Sequence, residues 1–321
     1  MKIIFPDIHG SLTRTIAMVC GELGYTLLLP DHSFREAIRY GKKWTIPELE
    51  QGIEFPGKLD NVSTVSFQEM LDDPPDVFFV SAAENNNNIL QNIWIPHLSK
   101  RHTKLAYYSG NDQWPASFHN TQYLKNIVCA STSGLDHCKS IGVANIQDWL
   151  PPVDYDNFKY TENITGNRLR TYIMAYPQQF RGAYDMFMNY KDFVHDKYIL
   201  NYEPNIPKCK TPAKMRDSIG TVHFKPKEGY GYAVIESMAC GRPVFMHRPY
   251  AQNKRLLDWS LDGVTAFFSN NAREFKEQLE TYTRDVDKMA VTQRKCAEKV
   301  REIVNYQEQV NNFKQFIERL I

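Results

Sequence analysis

The stretch from Thr221 to Phe245, TVHFKPKEGYGYAVIESMACGRPVF, decides how the rest of the chain is read. Val222 to Phe224 read as the end of a short buried strand, and Pro226, Gly229 and Gly231 punctuate a tight loop after it. Val234, Ile235, Met238 and Ala239 then recur at three- and four-residue spacings, the pattern of a helix packed against a core. Gly241 and Pro243 stop that helix, and Val244-Phe245 begin the next strand. The order is strand, glycine loop, helix, strand. A glycine loop that feeds a helix N-terminus presents backbone N–H groups and the positive end of the helix dipole, which together suit a phosphate. Glu228 and Glu236 bracket the loop with seven residues between them. A carboxylate does not hold phosphate but accepts hydrogen bonds from hydroxyls, which sugars supply in abundance. A sugar joined to a phosphate is the ligand that satisfies both halves of the device.

The same stretch resembles the signature of the retaining glycosyltransferases of family 4, a Glu-x7-Glu segment of the form EGFGL…EAMACGxPV. Glu228, Gly229, Tyr230, Gly231, Tyr232, Glu236, Met238, Ala239, Cys240, Gly241, Pro243 and Val244 match it in order. The resemblance implies an α/β protein of GT-B architecture, two Rossmann-like domains facing each other across a cleft. Mapped onto this chain it implies an acceptor-side domain over 1–155, a nucleotide-sugar domain over 156–304, and a terminal helix over 305–321 that returns to the first domain.

Length and composition agree with two domains. The chain has 321 residues, beyond the size at which one core usually keeps growing. It is 42% hydrophobic and 23% charged with a formal net charge of +1, so no global basic excess exists to hold a polyanion. The six cysteines lie far apart without a CxxC pair, which reads as reduced thiols and no zinc site. The start MKIIFPDIHG lacks a signal-peptide pattern, and no segment reaches the apolar length of a membrane span. Together these predict a soluble, cytoplasmic protein.

The first half alternates strand and helix: a strand over Lys2 to Phe5, an amphipathic helix over Ser11 to Leu23 capped by Ser11, and a strand over Tyr25 to Leu29. The turn between the first two holds Asp7, His9, Gly10 and Ser11; Gly10 there either only permits the turn or, as the resemblance implies, brings backbone close to the donor. Gly41 to Ser63 read as irregular. Further strands are expected at Asp76 to Ala82, Thr103 to Tyr108 and Ile127 to Ala130, with a helix from about Ile89 to Leu98. The tip Ser109-Gly110-Asn111-Asp112 is a cleft candidate, because open α/β sheets bind ligands outside the carboxyl ends of their strands. Trp149 to Phe158, WLPPVDYDNF, resembles the family's crossing into the second domain.

The second half restarts with a strand expected at Thr171 to Ala175. In the family an Arg and a Lys follow this strand and neutralise the donor diphosphate; here Arg181 stands at the Lys position and Tyr176-Pro177 at the Arg. Asp262 to Phe268 resemble the family's DGVTGLLV strand, and the tail from Asn271 reads as helices, the last with Val310, Phe313, Phe316, Ile317 and Leu320 on one face.

The resemblance assigns roles. Glu236 accepts from the ribose hydroxyls of the nucleotide, and Glu228 contacts and orients the donor sugar. The Tyr230, Gly231, Tyr232 and Ala233 amides and the preceding Gly229 approach the diphosphate, Arg181 binds it as it leaves, and Lys225 and Lys227 add charge. Asp7, His9, Ser109, Asn111 and Asp112 line the acceptor side. The implied activity is metal-independent transfer of a sugar from a nucleotide-diphosphate sugar to an acceptor hydroxyl with retention, needing no cofactor. A glycan, a lipid-linked sugar, a small molecule or a modified DNA base all fit the acceptor side. A catalytically silent nucleotide-sugar-binding protein and a sugar-nucleotide epimerase are the alternatives.

Overall fold

Two sheets organise the chain, and every strand pairing in them is parallel. The structure, a computed structural model, describes residues 1–5, 10–31, 59–81, 102–110, 125–172, 181–201, 206, 208–226, 230–251 and 255–321. It divides into one unit over Met1–Pro152 with Tyr306–Ile321 and another over Val153–Asn305.

In the first unit the described elements are β1 (Lys2–Ile4), α1 (Gly10–Glu22), β2 (Thr26–Pro30), β3 (Val62–Val65), α2 (Phe67–Asp72), β4 (Val77–Ser81), β5 (Lys104–Ser109), β6 (Asn126–Cys129), α3 (Thr132–Ser140) and β7 (Asn145–Asp148). The strand order is β3-β2-β1-β4-β5-β6-β7. Parallel strands need crossovers, and crossovers cover both faces, so the strands read as apolar runs. On one face Ile4, Phe78, Tyr107 and Ile127 pack with Met70 of α2 and Leu135 of α3.

In the second unit β8 (Arg168–Tyr172), α4 (Arg181–Val194), β9 (Ile199–Asn201), α5 (Thr211–Arg216), β10 (Gly220–His223), α6 (Tyr232–Ala239), β11 (Val244–His247), α7 (Arg248–Ala251), β12 (Ala266–Ser269), α8 (Ala272–Arg284) and α9 (Val286–Ile303) follow. The order is β12-β11-β10-β8-β9. Leu169, Val222 and Phe245 share one core with Phe187 and Tyr190 of α4 and Phe275 and Leu279 of α8. The opposite face carries α6, whose Ser237 Oγ donates to Thr221 Oγ1 at 2.6 Å. The last helix, α10 (Tyr306–Glu318), packs in the first unit. There Phe313 stacks on Phe79 at 5.8 Å and lies 5.1 Å from Trp149, whose Nε1 donates to Gln309 O at 3.0 Å. Full burial of an aromatic such as Phe313 contributes about 1.5–3 kcal/mol.

Local differences from the sequence reading have local causes. Ser11 is the second residue of α1 and not its cap: its hydroxyl is buried without a hydrogen-bond partner among the described residues. The strand expected at Thr171 to Ala175 begins earlier, at Arg168, and is described as far as Tyr172. The stretch read as irregular contains the start of β3, and the helix expected at about 89–98 lies outside the described residues. Helix α2 follows a capping box: Ser66 Oγ accepts from Glu69 N at 3.2 Å and Glu69 Oε2 accepts from Ser66 N at 2.7 Å.

Candidate functional site

From β8 the chain of the second unit runs outward to β9, then returns past β8 to build β10, β11 and β12 on its other side. The order therefore reverses between β8 and β10, and in doubly wound sheets ligands bind outside the carboxyl ends at such a reversal. Tyr172 and His223, the last residues of these two strands, are register partners. The segments leaving them start side by side, one leading to α4 and the other to α6.

The segment after β10 enters α6 through Gly231, which has φ 78° and ψ 58°. That left-handed conformation is open to glycine at little cost and strained for other side chains. Gly231 O accepts from Val234 N at 2.9 Å and Ile235 N at 3.1 Å, so the turn closes directly into the helix. The earlier N–H groups of the first turn have no partner within the helix. Tyr230 is buried, edge-on to Tyr232 at 5.1 Å and to Trp259 at 5.6 Å, which anchors the end of the loop.

Every residue of α6 from Ala233 to Ala239 is buried, Glu236 at 4% exposure included. The helix lies between the sheet and α9, so its apolar pattern runs all round and Glu236 and Ser237 are the polar exceptions. The carboxyl end of α6 is held by two arginines. Arg301 Nη1 donates to Ala239 O at 3.3 Å. Arg242, fully buried, donates to Met215 O at 3.1 Å, Arg216 O at 2.9 Å, Thr161 Oγ1 at 3.1 Å, Gln293 Oε1 at 3.0 Å and Gly241 O at 3.4 Å. Burial lowers the Arg242 pKa from its ordinary value. Burial also pushes the neighbouring Cys240 thiol up to about 12, against the downward pull of Arg242, Arg216 and Arg301. Neither Arg242 nor Gln293 stood out in the sequence, because an arginine between Gly241 and Pro243 reads there as a surface cation.

Beside this device, β11 ends at His247, whose Nδ1 lies 3.3 Å from Tyr190 Oη of α4. The His247 ring meets Tyr250 edge-on at 4.8 Å. Burial holds the His247 pKa below its ordinary value, partly offset by a hydrogen bond with the Ser269 backbone. Arg248 is engaged by Asp262 Oδ2 at 2.6 Å and Phe268 O at 2.8 Å.

Of the residues singled out in sequence, Tyr230, Gly231, Tyr232, Ala233 and Glu236 come together at the start of α6. Lys225 is half-buried on the segment leaving β10. Lys227, Glu228 and Gly229 lie outside the described residues, and Arg181 opens α4. In the first unit Gly10 opens α1 after β1, while Asp7, His9, Asn111 and Asp112 lie outside the described residues. Ser109 ends β5 at 1% exposure, opposite Cys129 in register. A cavity of about 500 Å³ lined by Glu162, Asn163, Asn167, Arg168, Arg216 and Asp217 lies at the amino end of β8, opposite the edge at which such sheets bind. The carboxyl edge is therefore the candidate site.

No protein-family model and no curated protein sequence matches the chain. Among solved structures, a sucrose-phosphate synthase from Thermosynechococcus elongatus is similar at 10% identity with a TM-score of 0.62, over 100% of this chain and 99% of that one. A glycosyltransferase from Rickettsia africae is similar at 12% identity and a TM-score of 0.59, over 99% and 97%. TarM of S. aureus, in a complex with UDP and alpha-GlcNAc-glycerol, is similar at 11% identity and a TM-score of 0.57, over 75% of this chain and 55% of that one. What these likenesses share with the two parallel α/β units and their strand orders is the architecture, and the chain has the GT-B fold of two Rossmann-like domains.

Proposed function

We propose that this chain is a glycosyltransferase that moves a sugar from a nucleotide-diphosphate sugar to an acceptor hydroxyl. The observation that carries the reading is Glu236, a carboxylate buried one turn into a helix that a left-handed glycine opens at the reversal of the second sheet. Its carboxylate oxygens accept hydrogen bonds, and the ribose hydroxyls of a nucleotide are donors of the matching kind. The nearby first-turn amides suit the diphosphate. The UDP named for the TarM complex is a ligand of this kind, and the Glu-x7-Glu resemblance supports the same reading.

In the reaction the bond from the anomeric carbon to the diphosphate oxygen breaks and a bond from the acceptor oxygen forms, while the proton of the acceptor hydroxyl passes to the departing diphosphate. The sugar passes through an oxocarbenium-like state as negative charge gathers on the departing diphosphate, so stabilising that charge is the main demand. Arg181 at the start of α4, Lys225, Lys227, Gly229 and the Tyr230 to Ala233 amides serve it, and the resemblance adds Gly10 to the donor-binding set. Glu228 orients the donor sugar. Transfer proceeds with retention and without a metal, and Asp7, His9, Ser109, Asn111 and Asp112 shape the acceptor side.

Calorimetry with UDP, GDP, ADP and dTDP, with and without EDTA, tests this. One of them binds, EDTA leaves the affinity unchanged, and Glu236→Ala weakens it by about 1–3 kcal/mol. Binding of none, or an affinity indifferent to Glu236→Ala, overturns the assignment.

A further inference from the structure

The amino end of the second sheet, away from the site above, carries the cavity of about 500 Å³, a volume in the range of small-molecule pockets. Its walls come from two stretches: 161–168, the approach to β8, and the carboxyl end of α5 at Arg216 and Asp217. Hydrogen bonds fix those walls. Asn163 N donates to Gln293 Oε1 at 2.9 Å, and Asn163 O accepts from Gln293 Nε2 at 2.7 Å. Asn163 Nδ2 donates to the carbonyls of Arg216 and Ser218 at 3.2 and 3.3 Å. Arg216 Nη1 donates to Asn157 O at 2.7 Å, and the buried Arg242 donates to Thr161 Oγ1 and Arg216 O. Gly166 lines the same cavity, and a β-carbon there would come 3.0 Å from Ile219 and 3.2 Å from Asn163 Oδ1. The cavity is therefore held in shape by the fold itself, the condition under which binding costs least.

On this frame stand three side chains that the fold does not use. Glu162, Arg168 and Asp217 are exposed, and among the described residues their side chains make no ion pair or hydrogen bond. Opposite charges that share a concavity attract, yet here the cation and the two carboxylates line one volume without pairing. Counted with Arg216, two cations face two anions. That balance disfavours a phosphate, whose charge would meet both carboxylates. The lining includes no aromatic ring to stack on a sugar or a base. Among the described residues no three acidic, histidine or cysteine side chains gather to hold a metal. What the set complements is a small molecule that carries both signs. The guanidinium fork matches a carboxylate, and the two carboxylates accept from an ammonium.

We propose that this cavity binds a small zwitterion of the α-amino-acid class, its carboxylate on Arg168 and its ammonium on Glu162 and Asp217. Hydrogen bonds between ionised partners are charge-assisted, which is why removing either end of the ligand weakens binding. The site is separate from the carboxyl edge and does not rest on the glycosyltransferase reading.

The test is calorimetric titration of the full chain with each L-amino acid up to about 10 mM, a range that reaches millimolar affinity. For one that binds, the matching amine without the carboxylate and the matching acid without the amino group each bind about tenfold more weakly. Arg168→Gln, and Glu162→Gln combined with Asp217→Asn, each lower the amino-acid affinity about tenfold. Because these side chains have no partner in the fold, both variants keep the melting temperature of the unaltered chain when no ligand is present. Four results overturn the inference: binding of no amino acid, equal binding of the amine or the acid, binding that survives both sets of substitutions, or a loss of binding that comes with a matching fall in the unliganded melting temperature.

Discussion

Arg242 brings a charge into a fully buried position where its described hydrogen-bond partners are carbonyls, a hydroxyl and an amide oxygen. Spreading one charge over that many oxygens offsets its desolvation, and the planar fork of the guanidinium is what lets one side chain reach them all. Arg242→Lys keeps the charge but not the fork, so several carbonyls lose their donor; urea unfolding should show a loss of about 2–4 kcal/mol. Gly241 beside it has φ 82°, and a β-carbon there would come 2.5 Å from the Tyr160 ring, so the turn that aims Arg242 inward is reserved for glycine. His247 makes a pH prediction. Burial depresses its folded pKa below 6.5, so below about 6.5 the unfolded chain binds more protons and stability falls on acidification. Stability measured from pH 7.5 to 5 should decline through that window, and His247→Gln should flatten part of the slope. A slope unchanged by His247→Gln would mean the depression is absent.

At the scale of elements, α2 has the clearest local cause. Its capping box satisfies two backbone donors at an exposed helix start. Ser66→Ala should cost about 1 kcal/mol in chemical denaturation, and Ser66→Asp, which also accepts, should restore most of it. The spacing Ser66-x-x-Glu69 was visible in the sequence but sat beside a stretch with no apolar period to draw attention to it. Strand β7 was not legible either, because Asn-Ile-Gln-Asp at the sheet edge lacks the apolar run that marked β1, β4 and β6. The βαβ alternation and the glycine-bounded helix α6 were legible, since short apolar runs and Gly-Pro punctuation are properties of the chain itself. At the candidate site the glycine turn and Glu236 could be read the same way. The carbonyl cradle of Arg242 and the Tyr190–His247–Tyr250 stack could not, because each joins residues far apart in sequence whose proximity only the folded sheet creates.

At the scale of the whole molecule, each unit has its own buried core, and the first is assembled from two separated pieces of chain. Helix α10 covers Phe79 and Trp149, receives the Trp149 Nε1 hydrogen bond, and through Gln309 Oε1 accepts from Leu150 N at 2.9 Å. Deleting 306–321 should therefore strip hydrogen-exchange protection from β4, β5 and β6 while leaving β10, β11 and β12 protected, since α8 and α9 still cover them. Equal loss in both sheets would contradict separate cores. Among the described residues no helix is long and apolar enough to cross a membrane.

The split make-up of the first unit also sets an order of events during synthesis. A ribosome delivers residues 1–152 first, yet the aromatic surface around Phe79 and Trp149 finds its cover only when 306–321 emerge. The second unit, continuous in sequence, is complete before that. The part translated first is thus the last to close, and in the interval its bare face is the surface that chaperones and chance neighbours meet.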